Sequence, residues 1–156
     1  EIGPLIRPQE VERVQQWVDE AVTEGAELLA GGRTLSPSTF ECTILYSPSA
    51  ESKVSRQEIF GPVICLYPYG QIEDAVTQAN ALPYAFQAAL FSTNIDTATY
   101  AYKNLDASAV MINDHTAFRV DWMPFAGLRQ SGLGVGGIPY TLRDMQIEKM
   151  MVLSVS

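Results

Sequence analysis

Basic residues, histidine and cysteine are all scarce in this chain of 156 residues, and each scarcity removes a class of function. Ten Lys and Arg stand against eighteen Asp and Glu, a net charge of −8. Such a surface disfavours the phosphate neutralisation that drives nucleic-acid binding, and it disfavours anionic membrane surfaces too. Neither nucleic acid nor membrane is an expected partner. The one histidine, His115, has no second His and no Cys beside it, so no metal site is expected and the residue reads as part of loop packing. Ser/His/Asp or Cys/His catalysis would place a nucleophile next to His115, and no spacing supports either. The two cysteines, Cys42 and Cys65, lie in apolar, strand-like runs without metal-ligand spacing. They read as buried thiols of a reducing compartment, by default the cytoplasm, and not as a disulfide. A catalytic thiol needs an electropositive, partly exposed setting, so neither is expected to be a nucleophile. There is no run of about 18 apolar residues to cross a bilayer. The N-terminal Glu1-Ile2-Gly3-Pro4 has neither the pattern of a signal peptide nor an initiating Met, so the chain reads as a piece of a longer one. Internal repeats, low-complexity tracts and heptads are also missing.

What is present describes a globular α/β fold. The apolar fraction is 47% and the charged fraction 18%, and a domain of this size buries about 68–70% of its unfolded surface. Val11, Val14, Val18, Ala21 and Val22 recur at helical spacing and predict an amphipathic helix over Pro8–Leu29, ended by Gly31-Gly32. Phe40–Tyr46 alternates as a strand. Beyond Glu58 the apolar runs Val63–Tyr67, Ala88–Phe91 and Ala109–Ile112 are separated by helix-like Ile72–Ala81 and Ile95–Leu105, a parallel βαβαβ sheet with helices on both faces. Asn94 or Ser92 is placed to cap the second of those helices, with Asp96 in its first turn. Residues 113–137, rich in Gly, Pro and aromatics, read as a long functional loop. A short helix over Pro139–Asp144 precedes Met150–Val155, an apolar terminal strand that needs a pairing partner.

Two segments carry the chemistry. Gln57-Glu58-Ile59-Phe60-Gly61-Pro62-Val63 brings an acid, an aromatic and a Gly-Pro turn to the start of a strand, and Met123-Pro124-Phe125-Ala126-Gly127 is followed by Ser131-Gly132-Leu133-Gly134. Together they resemble the aldehyde dehydrogenase superfamily, whose blocks read Glu-Ile-Phe-Gly-Pro and Pro-Phe-Gly-Gly-x-Lys-x-Ser-Gly. The chain departs from that pattern at Ala126, at Arg129 in place of lysine, and at Val135-Gly136 in place of Arg-Glu. The resemblance covers the last third of such an enzyme. It implies residues 1–146 as the C-terminal portion of the catalytic domain and 147–156 as an oligomerisation strand, with Met150–Val155 joining a sheet shared in a homodimer or homotetramer. The nucleophilic Cys, the carboxylate base and the oxyanion-stabilising Asn of the family lie upstream, so no catalytic residue is expected in this chain and the chain alone is expected to be inactive.

The resemblance further implies NAD or NADP as cofactor and an aldehyde as substrate, oxidised to a carboxylic acid through a Cys thiohemiacetal and thioester. Glu58 would accept hydrogen bonds from the nicotinamide ribose and Phe60 would pack beside the nicotinamide ring. From the residues alone, Glu58 reads first as a surface acid paired with Lys53 or Arg56, and the family block reverses that order. By position in the family pattern, Arg119 and Phe125 fall on the wall of the aldehyde tunnel, where an arginine favours a carboxylate, phosphate or hydroxylated substrate. The alternative for Arg119 is an ion pair with Asp114 or Asp121. Phe118 and Trp122 read as core. Asn113 reads as a residue that holds loop backbone by side-chain hydrogen bonds.

Gly132–Gly137 satisfies G-x-G-x-x-G as a string but comes after a loop and has no acidic residue about 20 positions on, so it reads as a turn and not as a dinucleotide fingerprint. Two further readings stay open: a non-catalytic interaction module that pairs through Met150–Val155, and a small nucleotide-binding α/β domain that uses the Gly132–Gly137 turn. Dispensability of Glu58 would mark the first, and cofactor affinity of the isolated chain the second.

Overall fold

Val11, Val14, Val18 and Ala21 line one face of helix α1 (Pro8–Thr23) and are the most deeply buried group in the chain. Burial of each of the three valines stabilises the fold by about 1.5–2 kcal/mol. The computed structural model describes residues 2–155, which form two compact units divided between Tyr69 and Gly70.

In unit 1, α1 stops at Thr23, short of the Gly31-Gly32 pair that was expected to end it. Gly25 (φ +110°) donates to the carbonyl of Val22 at 3.1 Å, and Ala26 donates to that of Ala21 at 2.9 Å. Those two bonds satisfy the last helical carbonyls and turn the chain out of the helix. Residues 27–30 therefore leave the predicted helix and become strand β1 (Glu27–Ala30). The expected strand over Phe40–Tyr46 is likewise divided. Strands β2 (Thr34–Ser36) and β3 (Thr39–Phe40) form a small hairpin, and β4 (Thr43–Tyr46) lies between β1, antiparallel, and β5 (Val63–Leu66), parallel, in register Thr43↔Val63 to Tyr46↔Leu66. A short helix α2 (Lys53–Arg56) links β4 to β5.

Leu45, Phe40, Ala26 and Val54 complete the core beneath α1, with Trp17 and Ile59 packed at its edge. Thr43, buried in that core, has its hydroxyl satisfied on both sides: it donates to the Glu41 carbonyl (2.9 Å) and accepts from Gly32 N–H (2.8 Å). The alternate face of β5 is open, with Ile64 and Leu66 exposed, so unit 1 covers its parallel pair on one face where both were expected to be covered.

In unit 2, α3 (Ile72–Asn80) leads to the short strand β6 (Tyr84–Ala85) and then to β7 (Gln87–Leu90). Helix α4 (Ile95–Asn104) connects β7 to β8 (Ala109–Ile112), its parallel neighbour in register Gln87↔Ala109 to Leu90↔Ile112. Asn94 caps α4 as expected, its side-chain oxygen accepting from Asp96 N–H (2.8 Å) and Thr97 N–H (3.1 Å). A parallel pair of strands thus occurs in each unit, and the α/β class and both helix-strand alternations hold.

The long loop after β8 carries structure of its own. Strand β9 (Leu128–Arg129) pairs antiparallel with β6, Phe125 and Gly136 form an isolated bridge, and helix α5 (Ile138–Asp144) begins after Gly137. No strand forms over 150–155. Met150, Met151, Val152 and Leu153 are 77–86% exposed, because a strand requires a hydrogen-bonded neighbour and the described residues offer none at this end.

Candidate functional site

The loop before β5 is built from α1 outward. Gly61 lies so close to the helix that a Cβ there would stand 2.8 Å from Val14 Cγ2, which brings the loop against the core. Ile59 packs, half-buried, against the edge of that core. Arg13 of α1 then donates from Nη2 to the Ile59 carbonyl at 2.5 Å. On either side of Ile59 the two candidate residues point away from the core, Glu58 exposed and Phe60 79% exposed. Phe60 also has a backbone φ of +45°, in the left-handed region that aromatic residues rarely enter.

Neither partner suggested for Glu58 is taken up, since Lys53 pairs with Glu20 and Arg56 with Glu51. Among the described residues no hydrogen bond or ion pair engages the Glu58 carboxylate. It shares with Phe60 an open cleft of about 640 Å³, whose other walls include Leu5, Ile6, Trp17 and Arg13. An unengaged acid, an exposed ring in a costly backbone conformation and an apolar wall suit a ligand that has hydroxyl donors next to a flat ring.

In unit 2 the other two candidates meet. The Arg119 guanidinium carbon lies 4.2 Å from the centroid of the Phe125 ring, and Phe125 meets Phe86 edge-on at 4.8 Å and 88°. Among the described residues Arg119 makes no ion pair with Asp114 or Asp121. Its positive charge is held by an aromatic face with its donors open to solvent. Phe125 is fixed in turn by paired backbone bonds with Gly136, 3.1 and 2.8 Å. Phe118 and Trp122, expected in the core, are both exposed. The reason is local: the 113–127 loop lays Met123 and Ala126 inward and leaves its larger rings outside. Phe118 with Met111 and Met123 lines a second cleft of about 320 Å³ over β8.

Asn113 does the work expected of it. Its amide donates to the Ser92 carbonyl (2.9 Å) and its oxygen accepts from Ser92 N–H (2.8 Å), with φ at +59°. His115 is exposed and uses Nδ1 to accept from Ala117 N–H at 3.1 Å, a bond that shapes its own turn.

Of the cysteines, Cys42 is exposed and not buried as expected, because it sits between β3 and β4 and not inside a continuous strand. Cys65 is half-buried, and burial pushes its thiol above the ordinary value, which leaves it less thiolate and less reactive. Gly134 and Gly137 take positive φ, as the turn reading expects, and the turn leads into a helix of only seven residues.

Arg13 was not found from the sequence, where it reads as one of several polar residues on the helix. Arg129, noted only as a departure from the family pattern, also has a role: Nη1 donates to the Asn80 (2.7 Å) and Leu82 carbonyls and Nη2 pairs with Asp106, tying the loop to the end of α3.

With the two groups in place, comparison with known proteins gives the family. The aldehyde dehydrogenase family model matches residues 1–151, and the chain belongs to that family. It is similar to the 3-sulfolactaldehyde dehydrogenase of Priestia megaterium, 37% identical over 155 residues, which are 99% of this chain and 32% of that protein. The chain thus spans about a third of the length of the curated relatives it matches. Among solved structures it superposes on aldehyde dehydrogenase 21 from Physcomitrella patens, in complex with its reaction product succinate, with a TM-score of 0.88 and 35% identity, covering 92% of this chain and 30% of that one. It superposes on the glyceraldehyde-3-phosphate dehydrogenase of Methanocaldococcus jannaschii, complexed with NADP, with a TM-score of 0.86 and 35% identity, covering 92% and 31%.

Proposed function

We propose that this chain is the C-terminal part of an NAD- or NADP-dependent aldehyde dehydrogenase that oxidises an aldehyde with an anionic tail, the thiol nucleophile being supplied from outside the chain. The observation that carries the proposal is the pairing of an unengaged carboxylate at Glu58 with a ring at Phe60 that is 79% exposed and held at φ +45°. A left-handed conformation costs a non-glycine residue about 1–2 kcal/mol, and an exposed phenyl ring adds nothing to the core of unit 1. Both features are accounted for if the loop exists to present acid and ring to a ligand.

When bound, the nicotinamide supplies the hydride acceptor. Glu58 accepts hydrogen bonds from the two adjacent ribose hydroxyls, a bidentate contact that a carboxylate makes well and that orients the sugar. Phe60 limits the positions open to the ring. Arg119 draws the tail of the substrate through its open donors, and Phe125 holds the guanidinium in place without consuming those donors. The similar proteins point the same way: the sulfolactaldehyde enzyme is named for a sulfonated substrate, the Physcomitrella patens structure holds the dicarboxylate succinate, and the Methanocaldococcus jannaschii enzyme is named for a phosphorylated aldehyde. The exposed apolar residues 150–153 support a homodimer or homotetramer built through Met150–Val155, and the unpaired thiols suit the cytoplasm.

The test is Phe60→Gly in the full-length enzyme. Glycine removes the backbone cost, so the melting temperature should stay level or rise while the dinucleotide dissociation constant increases by about tenfold or more. A variant that melts lower and binds the dinucleotide as well as before would reject the proposal.

A further inference from the structure

Among the described residues, the peptide between Ile59 and Phe60 is fixed by one side chain, and that side chain is on α1, 46 residues earlier. Arg13 Nη2 donates to the Ile59 carbonyl at 2.5 Å, while Arg13 Nε donates to Glu10 at 2.7 Å and the guanidinium carbon sits 4.4 Å from the centroid of Trp17. Glu10 is itself braced from the other side by Arg7, at 3.0 and 2.8 Å. The arginine is therefore held by a carboxylate and an aromatic face before it reaches the loop, and its side chain is only 27% exposed.

We infer that Arg13 is a positioning residue for the coenzyme loop: by gripping the Ile59 carbonyl it holds the peptide plane that leads into Phe60 and so keeps that residue in its left-handed conformation, with Glu58 and Phe60 presented together to the cleft.

The orientation of the 59–60 peptide is set by ψ of Ile59 and φ of Phe60, and nothing intrinsic to a phenylalanine favours +45° there. A hydrogen bond from a charged donor to that carbonyl penalises rotation of the plane. Only an arginine can make all three contacts at once, because its planar fork offers Nε and Nη2 in fixed directions while its face stacks on a ring; a lysine in its place would make one of them.

The inference rests on the roles proposed for Glu58 and Phe60, so the experiment carries a control for those roles. In the full-length enzyme, Arg13→Met, Arg13→Lys and Glu58→Gln are compared by fluorescence titration with NAD and with NADP in the absence of aldehyde, by KM for the aldehyde, and by melting temperature. Arg13→Met is expected to weaken dinucleotide binding by about tenfold with aldehyde KM unchanged, and Arg13→Lys to recover about half of that loss on a logarithmic scale. Normal binding by Arg13→Met alongside weakened binding by Glu58→Gln would overturn the inference and leave the parent reading intact. Normal binding by both would overturn both. Loss of dinucleotide and aldehyde affinity in equal measure, without recovery by lysine, would show a general packing role and overturn it as well. Should Arg13→Met fail to fold, Arg13→Lys decides: about threefold weaker dinucleotide binding supports the inference, and unchanged binding overturns it.

Discussion

Arg119 stacks on Phe125, with its guanidinium carbon 4.2 Å from the ring centroid and no carboxylate of its own loop engaged. An arginine in that state is pre-oriented yet unsatisfied. Arg119→Leu in the full-length enzyme is therefore expected to raise KM for a carboxylated, sulfonated or phosphorylated aldehyde by about tenfold or more and to change KM for an alkyl aldehyde by less than about twofold. Steady-state kinetics with matched aldehydes checks this, and equal effects on both would separate Arg119 from substrate choice.

Asn113 combines a φ of +59° with two hydrogen bonds to the backbone of Ser92. Asn113→Ala loses both bonds and keeps the unfavourable backbone, an expected cost of about 2–3 kcal/mol; Asn113→Gly loses the bonds but relaxes the backbone, at about 1 kcal/mol. Urea titration of the two variants gives the difference.

Two glycines separate conformational from steric demand. A Cβ at Gly25 (φ +110°) meets nothing within 4 Å, so Gly25→Ala should cost only the backbone preference, about 1–2 kcal/mol. At Gly31 (φ +71°) the Cβ would lie 2.2 Å from the Cys42 carbonyl oxygen, so Gly31→Ala should displace β4 and cost more than about 3 kcal/mol. Thermal unfolding of the pair should show the larger drop for Gly31→Ala.

Hydrogen bonds from Arg13 first, and then from Arg7, hold the Glu10 carboxyl below the ordinary carboxylate value. A folded-state value below the unfolded one means that the stabilisation is complete above the unfolded value and is lost as pH falls through the folded one. Acid unfolding monitored by circular dichroism should therefore begin at lower pH for Glu10→Gln relative to its own neutral-pH stability, with little change in slope above the carboxylate range.

Helices α3 and α4 and strands β5, β7 and β8 were legible because apolar runs of strand length alternate with caps and helical spacing; the Asn94 cap and the Asn113 clamp were readable for the same local reasons. What the pattern concealed depended on backbone signals or long-range partners. A single Gly25 outweighs the continuing helical periodicity of 24–29, strands of two residues such as β6 and β9 have no period to detect, and the expected strand over 150–155 lacks a neighbour within the described residues. The family blocks drew attention to Glu58, Phe60, Arg119 and Phe125. They could not show that Phe60 is left-handed or that Arg13 grips the peptide before it, because both are consequences of α1 packing against a loop 46 residues away.

The most direct measurement is a crystal structure of the full-length enzyme with NAD or NADP bound. Both Glu58 carboxylate oxygens are expected within about 3 Å of the nicotinamide ribose hydroxyls, with the ring of Phe60 against the nicotinamide and the Arg13 bond to Ile59 intact. A Glu58 carboxylate facing solvent, away from the bound dinucleotide, would contradict the coenzyme role given to this loop.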